Sequence, residues 1–417
     1  MGIADEERKG NSRNKMDDLL VNLVDASRPS IIKVIGVGGG GDNAVAHMYR
    51  EGNINEVNYL VCNTDSKALE TSPIPNQLQL GDDGLGAGGK PEKGKELAEE
   101  SIEEIRGLLD KEIKMVFITA GMGGGTGTGA APVIAREAKA RGILTIGIVT
   151  IPFRFEGLRK IDKALDGVEE MSKNVDALLV INNERLREIY QNLTVIEAFK
   201  KADNTLTVAV KSIVDIITMH GKMILDFRDV HTTLHNGGVA IMSTGYASGE
   251  NRVAKAIHDA LNSPLINNRD IYKSKKILIY ITTSTENALM IYEMNDIHAF
   301  MENFEDKYIE TKYGLSTDDS LGDKVKITIL ASGFGISEFK EEDNVIVFSE
   351  EDIRRVLRRE KLYGKDDTKK VKTPRRIFLY NLEDLDNLET INLIDSTATF
   401  RREKSVIDEI NKLKETN

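Results

Sequence analysis

The residues best suited to chemistry form a glycine run between a strand pattern and a helix pattern. Residues 121–129 read Gly-Met-Gly-Gly-Gly-Thr-Gly-Thr-Gly, after the apolar stretch Met115–Thr119 and before the small residues Ala130–Ala135. Consecutive glycines let backbone N–H groups converge on an anion, and the dipole of the following helix adds to that attraction. The run lacks the Lys-Ser/Thr ending of a Walker A loop. It therefore predicts a phosphate-binding loop of another kind.

The first glycine segment in chain order, residues 36–43, follows the apolar stretch Ile31–Ile35 and precedes a helix that we expect to begin near Ala44. Alone, it satisfies the dinucleotide fingerprint and favours an oxidoreductase. The matching residues are Gly36, Gly38 and Gly41, with Asp65 as the acidic residue further along. A dinucleotide fold needs only one such turn, so the run at 121–129 weakens that interpretation.

The second glycine segment in chain order, residues 84–91, precedes an amphipathic helix pattern, and the run at 121–129 is the third segment. The apolar positions of that pattern are Leu97, Ile102, Ile105, Leu108 and Leu109. Taken alone, the segment is typical of a flexible loop. Three glycine loops at successive strand ends of one sheet, however, fit one nucleoside triphosphate better than three unrelated turns.

Strand and helix patterns alternate along the first half of the chain, which predicts a parallel sheet with helices on both faces. The predicted strands are Ile31–Val37, Val57–Cys62, Met115–Thr119, Leu144–Thr150 and Ala177–Ile181. A long helix is expected over Val195–Ile217, with one buried face. A second module spans about 231–336, with strands at Val239–Thr244, Ile277–Thr282 and Val325–Leu330 and a helix at Arg252–Leu261. The chain is charge-rich after Gly335.

These motifs together resemble the tubulin/FtsZ family of GTPases, and its bacterial cell-division branch is the closer match. The resemblance covers about residues 31–336, and its further motifs are Asn63–Asp65, Pro152–Gly157, Asp226–Val230 and Ala247–Arg252. It implies an α/β fold, in which a Rossmann-like parallel-sheet GTPase domain is joined by a long central helix to a smaller α+β domain. The implied domains are an arm at 1–30, the GTPase domain with its central helix at 31–217, the α+β domain at 218–336 and a charged tail at 337–417.

The resemblance implies GTP or GDP as the ligand, with Mg²⁺ bound through the phosphates and not through protein side chains. The phosphates would meet Gly39, Gly40, Gly41, Gly125, Thr126 and Gly127, and the γ-phosphate would meet Ala87, Gly88 and Gly89. Asp42, Asn43 and Gly124 would also contact the nucleotide. Asn43 could instead cap the helix that it begins. Glu156 would bind the ribose. Lys160 stands where the family has Arg, so it keeps the charge but loses the bidentate fork.

Three further residues are the candidates for reading the base. A carboxylate can accept from guanine N1–H and the 2-amino group together, and adenine offers neither donor. Asp203, on the long helix, matches the position that reads the base in the family. Phe199 lies one turn earlier and could stack on the base, although an aromatic at this spacing is usually a core residue. Asn183 could bond the base or the sugar.

The segment from His220 to Asp229 is the other active element that the resemblance implies. In the family it enters the nucleotide site of the next subunit, where two acids polarise the attacking water. Here those acids are Asp226 and Asp229, and solvated loop acids are the plain alternative. The family has Asn two positions before the first acid, and this chain has Ile224. Either the two acids hold the water alone, or hydrolysis is slow.

Composition and charge disfavour several classes of binding partner. The formal net charge of −11, from 56 basic and 67 acidic residues, argues against nucleic acid and against adsorption to an anionic membrane. No apolar stretch is long enough for membrane insertion, the polar start is unlike a signal peptide, and Cys62 has no second cysteine to pair with. The histidines show no metal-ligand spacing.

We therefore expect a cytoplasmic GTPase that polymerises head to tail with itself and concentrates at the division site. Its tail would bind membrane-tethering and regulatory proteins through Thr373–Tyr380 or a helix near Lys404–Lys414. The alternative is a related filament or scaffold protein that binds GTP and hydrolyses it slowly.

Overall fold

The computed structural model describes residues 30–51, 54, 56–190, 192–219, 221–262, 271–304, 309–334, 355, 358, 359, 362 and 363. The chain up to Glu338 forms one compact unit, and the residues from Phe339 are grouped in a second. The predicted arm, apart from Ser30, and both tail candidates lie outside the described residues. The domain boundary at 217/218 stays a prediction.

Eleven strands form one sheet in the first unit. They are β1 (Ile32–Val37), β2 (Val57–Asn63), β3 (Gln77–Gln79), β4 (Met115–Gly121), β5 (Leu144–Ile151), β6 (Ala177–Asn182), β7 (Gly221–Met223), β8 (Gly238–Ala247), β9 (Lys276–Thr283), β10 (Glu310–Thr317) and β11 (Val325–Phe334). Their order across the sheet is β3-β2-β1-β4-β5-β6-β8-β11-β9-β10-β7.

The described residues contain eleven α-helices. They are α1 (Gly38–Arg50), α2 (Ser66–Glu70), α3 (Pro91–Glu100), α4 (Ile102–Leu108), α5 (Thr126–Ala140), α6 (Leu158–Asn174), α7 (Asn183–Ile189), α8 (Val195–Thr218), α9 (Phe227–Leu234), α10 (Arg252–Leu261) and α11 (Met294–Met301). None of these helices is long and apolar enough to cross a membrane.

Strands β1 to β6 pair in parallel, which confirms the predicted sheet. Most of their side chains are buried, as in β4, because helices cover both faces. The carboxyl ends of parallel strands share one edge of the sheet. The glycine segments after β1 and β4 therefore begin at the same edge, since these two strands are direct neighbours.

The long helix α8 spans Val195–Thr218, one residue beyond the prediction. Thr194 and Glu197 form a capping box at its start, which satisfies two backbone donors of the first turn. Its buried side chains, including Leu206, Val210 and Ile213, belong to a core that also contains Ile148 of β5 and Leu330 of β11. The helix thus packs against both halves of the unit, as the family resemblance implies.

The second half continues the same sheet through a short parallel pairing of β6 with β8, Ala177 opposite Gly238. Beyond it, β11 is antiparallel to both of its neighbours, β8 and β9, so this half is mixed. A separate core that includes Val253, Ile279 and Ile327 lies between this sheet and α10 and α11. The predicted fold class is therefore confirmed.

Candidate nucleotide site

The first glycine segment is helical in the structure, which corrects the predicted helix start near Ala44. Helix α1 begins at Gly38, whose φ of 69° suits glycine. The glycines up to Gly41 are thus the first turn of the helix, and their N–H groups are among those that a helix leaves unpaired at its start. Asn43 is exposed in the second turn and is not a cap. Its contact with the nucleotide stays a prediction.

The first and third glycine segments pack directly against each other. A Cβ placed on Gly38 would lie 2.8 Å from the Gly127 nitrogen, and one on Gly40 would lie 3.0 Å from the Gly121 Cα. On Gly41 a Cβ would lie 2.3 Å from the carbonyl oxygen of Thr119. These separations leave no room for a side chain. The two predicted phosphate loops therefore form one surface of backbone atoms.

The segment at 84–90 closes on the same surface. A Cβ on Gly125 would lie 2.8 Å from the Ala87 Cβ and 3.2 Å from the Gly89 nitrogen. Gly88 and Gly89 have φ values of 55° and 69°, are exposed, and have no atom within 4 Å of a Cβ position. One side of this loop is packed and the other is open, as a site for a phosphate group requires.

Thr64, the residue directly after β2, links two of the glycine segments. The sequence prediction gave it no role in the site. The Thr64 hydroxyl lies 2.7 Å from the Thr126 hydroxyl, and the Thr64 carbonyl oxygen accepts from the Gly86 N–H at 2.9 Å. Thr64 therefore joins the second and third glycine segments. Its position after an apolar strand, at the edge shared with β1, was the signal that could have identified it.

Asp42 is the buried charge of the site. Its Oδ2 accepts from the Asn63 amide at 2.6 Å, while its Oδ1 is buried without a hydrogen-bond partner among the described residues. Burial raises the pKa of Asp42 to about 7, and the bond from Asn63 opposes that rise only in part. A carboxyl group in this state can exchange a proton near neutral pH.

The turn that contains Glu156 is tied together locally. The Glu156 carboxylate accepts from the Phe153 N–H at 2.8 Å and pairs with Lys160 at 2.5 Å. The Lys160 backbone also packs on the third glycine loop, because a Cβ on Gly123 would lie 2.7 Å from the Lys160 carbonyl oxygen. The ribose contact predicted for Glu156 and the nucleotide contact predicted for Lys160 stay predictions, and both side chains would exchange part of this pairing for ligand contacts.

The three base-reading candidates lie on two successive helices, Asn183 on α7 and Phe199 and Asp203 on α8. Phe199 is 40% exposed and meets Phe153 edge-on, with ring centroids 5.2 Å apart. Asn183 is 4% exposed, and its Oδ1 has no hydrogen-bond partner among the described residues. Burial alone raises the pKa of Asp203 to about 6. A buried amide oxygen without a partner and a carboxyl group partly removed from water both fit a ligand that donates hydrogen bonds.

The acid loop has a different construction. Asp226 caps α9 by accepting from the N–H groups of Arg228 and Asp229 at 2.8 and 3.0 Å, and Asp229 accepts from the Asp226 N–H at 3.1 Å. Asp229 also pairs with Lys312 at 3.2 Å. Within the described ranges, no hydrogen bond or ion pair joins the two acids to the glycine loops. Six strands separate β7, which precedes the acids, from β4.

The part of the chain that the structure describes contains no group of three or more His, Cys, Asp or Glu that could hold a metal ion. Binding of Mg²⁺ through the phosphates stays a prediction.

Three family models match the chain. One described as the GTPase domain of the tubulin/FtsZ family matches residues 31–191, one for the C-terminal domain of the FtsZ family matches 238–335, and one described as FtsZ, C-terminal, matches 372–417. The first covers all three glycine segments, and the third covers both tail candidates.

Relatives and solved structures agree with these matches. The chain is 48% identical to a cell division protein FtsZ of Porphyromonas gingivalis, over 96% of this chain and 92% of the relative. It is 41% identical to the Aquifex aeolicus protein of the same name, over 77% and 87%. An empty FtsZ dimer from M. jannaschii superposes with a TM-score of 0.67 at 34% identity, covering 80% of this chain and 99% of that one. The chain therefore belongs to the tubulin/FtsZ family of GTPases and, within it, to the FtsZ cell-division proteins.

Proposed function

We propose that this chain binds GTP across its three glycine segments, hydrolyses it, and assembles head to tail into the filaments of the cell-division ring. The observation that carries the proposal is the joint packing of those segments around one open face at Gly88 and Gly89. Backbone N–H groups at the starts of α1 and α5 would bind the phosphates. Mg²⁺ held through the phosphates would neutralise charge that develops on them during transfer.

The base-reading step rests on buried acceptors. Asp203 would accept from both guanine donors, and Asn183 would gain a partner for its Oδ1. Adenine would leave Asp203 unpaired in a half-buried position, which disfavours ATP. Phe199, accessible on one side, would stack on the base. The raised pKa of Asp203 supports this role, because an acid without a cationic partner gains most from new donors.

Catalysis would be completed by a second copy of the chain. Asp226 is exposed at the N-cap of α9 and Asp229 is partly exposed in its first turn, after the edge strand β7, so the acids of one subunit could reach the nucleotide of the next. A head-to-tail contact of this kind does not close and gives filaments. Ile224, which is 66% exposed, offers no hydrogen bond where the family has Asn, and we propose that it lowers turnover. The high identity to a cell division protein favours an active GTPase over a scaffold that hardly hydrolyses GTP.

One experiment tests these points together. The chain is pelleted with GTP, GDP and ATP, and phosphate release is measured on the same samples. We expect pelleting and phosphate release with GTP alone. Equal release with ATP would contradict the role of Asp203, and pelleting with GTP without phosphate release would favour the slow scaffold.

We also propose that the protein works in the cytoplasm at the division site, where its tail binds membrane-tethering proteins and not lipid. The match of residues 372–417 to a family model of the FtsZ C-terminus supports a dedicated tail function. Acids in the tail would oppose an anionic bilayer. They include Glu383, Asp384, Asp386 and Glu389. A chain that ends at Gly335 should polymerise but fail to localise, and loss of polymerisation would show that the tail belongs to the fold.

A further inference from the structure

We infer that Lys163, on α6, is a positioning residue for the loop that meets the γ-phosphate. The inference rests on the proposed function, because it takes Ala87 to Gly89 as that loop. The Lys163 Nζ donates to the Gly89 carbonyl oxygen at 2.7 Å, across 74 residues of chain. Nothing in the local sequence around either residue requires this contact, so it depends on how α6 packs.

The loop needs such a contact because its backbone is intrinsically free. Gly86, Gly88 and Gly89 all have positive φ values, of 81°, 55° and 69°. Glycine loses more conformational freedom on ordering than any other residue, so three of them make this loop costly to hold in one shape. Gly88 and Gly89 are exposed and have no packed neighbour at their Cβ positions.

Lys163 and Ala87 hold one peptide plane from opposite sides. The N–H of Lys90 donates to the Ala87 carbonyl oxygen at 3.0 Å, and the carbonyl of the same peptide, that of Gly89, accepts from Lys163. A plane held at both its N–H and its C=O cannot rotate, which restricts ψ of Gly89. The peptide that joins Gly89 to Lys90 is therefore kept in one orientation.

Helix α6 is a rigid base for this contact. Ile161 and Leu165, on either side of Lys163, are buried against the core. One turn before Lys163, the backbone of Lys160 packs on Gly123 of the third glycine loop. The helix thus sets the spacing between two phosphate loops, and Lys163 is the side chain that extends this control to the γ-phosphate loop.

The test compares Lys163→Met, which keeps the aliphatic stem, with Lys163→Arg, which keeps a charged donor. Lys163→Met removes a charge-assisted hydrogen bond that acts on the ligand only through the loop, so GTP binding should weaken by about 3- to 10-fold. Because GDP lacks the γ-phosphate, its binding should stay within about twofold. Lys163→Arg should restore most of the preference for GTP. Lys173→Met is the matched control, because Lys173 lies on the same helix and pairs only with exposed acids, Glu169 and Glu170.

A second readout needs no nucleotide. Amide hydrogen exchange in residues 84–93 should be faster in Lys163→Met than in the parent, and unchanged in Lys173→Met. An unchanged ratio of GTP to GDP affinity, an equal loss of both affinities, or unchanged exchange in this loop would each overturn the inference. A parent chain that binds GTP no better than ATP would instead contradict the proposed function, with the exchange result still decisive for Lys163.

Discussion

The three glycine segments and the acid loop, residues 221–229, differ in where their polar groups find partners. The glycine segments come from distant parts of the chain and contact each other through backbone atoms, so that a single Cβ on Gly41 would collide with Thr119. The acid loop is exposed, and its acids are satisfied by their own helix start and by Lys312. The glycine segments therefore form one continuous backbone surface. The two acids lie outside that surface, at the start of a helix.

This difference indicates how the work is divided between copies of the chain. In the proposed function one subunit binds the nucleotide, because the predicted phosphate loops and the base-reading candidates belong to one compact unit. Hydrolysis would need Asp226 and Asp229, which lie at the start of α9, after the edge strand β7. Changes in the glycine segments should therefore alter folding and binding in the monomer, and changes in the acid loop should alter turnover only after assembly.

The largest expected effect is on the acid loop. Asp229→Asn keeps an oxygen that can cap α9 but removes the charge, so GTP hydrolysis should fall by roughly 10²- to 10⁴-fold, the usual contribution of a positioned base. GTP affinity and filament formation should remain. Phosphate release and light scattering on the same samples measure this.

Lys312→Met is the control for that prediction, because it breaks the pair with Asp229 and leaves the acid in place. Its turnover should stay within a few-fold of the parent. The specific activity of the parent should also rise with protein concentration. A constant value from well below to well above the assembly threshold would exclude catalysis in trans.

The next largest effect is a gain of GTP hydrolysis from a change in the acid loop. Ile224→Asn should raise turnover, because an amide there could position the water or the loop, and one positioning bond is worth roughly 10- to 1000-fold. Affinity for GTP should not change. Met223→Asn, one residue earlier and 52% exposed, is the matched control and should not raise the rate. A lower or unchanged rate in Ile224→Asn would count against the role of this position.

A smaller effect is expected in the glycine segments, and it should appear without any partner. Gly41→Ala forces a Cβ to within 2.3 Å of a backbone oxygen, and overpacking of this kind costs about 1–3 kcal/mol or more of unfolding free energy. Gly39→Ala meets no atom within 4 Å and should leave stability unchanged. Urea unfolding of the nucleotide-free chains measures both. Equal stability of the two variants would refute the close packing.

The smallest predicted effect concerns pH at the base-reading site. The free chain binds a proton at Asp203 below about pH 6, and guanine recognition needs the ionised acid. GTP affinity should therefore fall as the pH drops below 6, by at most about tenfold per pH unit. The folding stability of the free chain should change with pH in the opposite direction. The buried charge of Asp203 lowers this stability above pH 6, and the loss is relieved as the pH falls toward 4.

Asp203→Asn is the control for the pH prediction. It should bind GTP more weakly than the parent at pH 7.5, by about 1–3 kcal/mol for a lost charge-assisted pair, and should lack the part of the pH dependence that belongs to Asp203. Calorimetric titration at several pH values compares the two chains. Equal affinity at pH 7.5 would remove Asp203 from the base-reading site.

Strong local patterns gave correct predictions. The parallel strands β1, β2, β4, β5 and β6 were predicted within two residues, because each is a mainly apolar run with most of its side chains buried. Helix α8 was predicted from its apolar spacing, and α10 matched at both ends. Weak local patterns were missed or misjudged. Strands β3, β7 and β10 are short or polar, and one expected helix is divided at Ser101 into α3 and α4.

The sequence alone was sufficient to predict glycine loops after the strands of a parallel sheet, because a glycine run that follows an apolar run is a clear local pattern. How those loops combine depends on the tertiary structure. The backbone contact of Gly38 with Gly127, the hydroxyl pair of Thr64 and Thr126, and the bond from Lys163 to Gly89 each join residues more than 60 positions apart. Such contacts follow from the order of strands in the sheet and from helix packing, and no local pattern of residues encodes them.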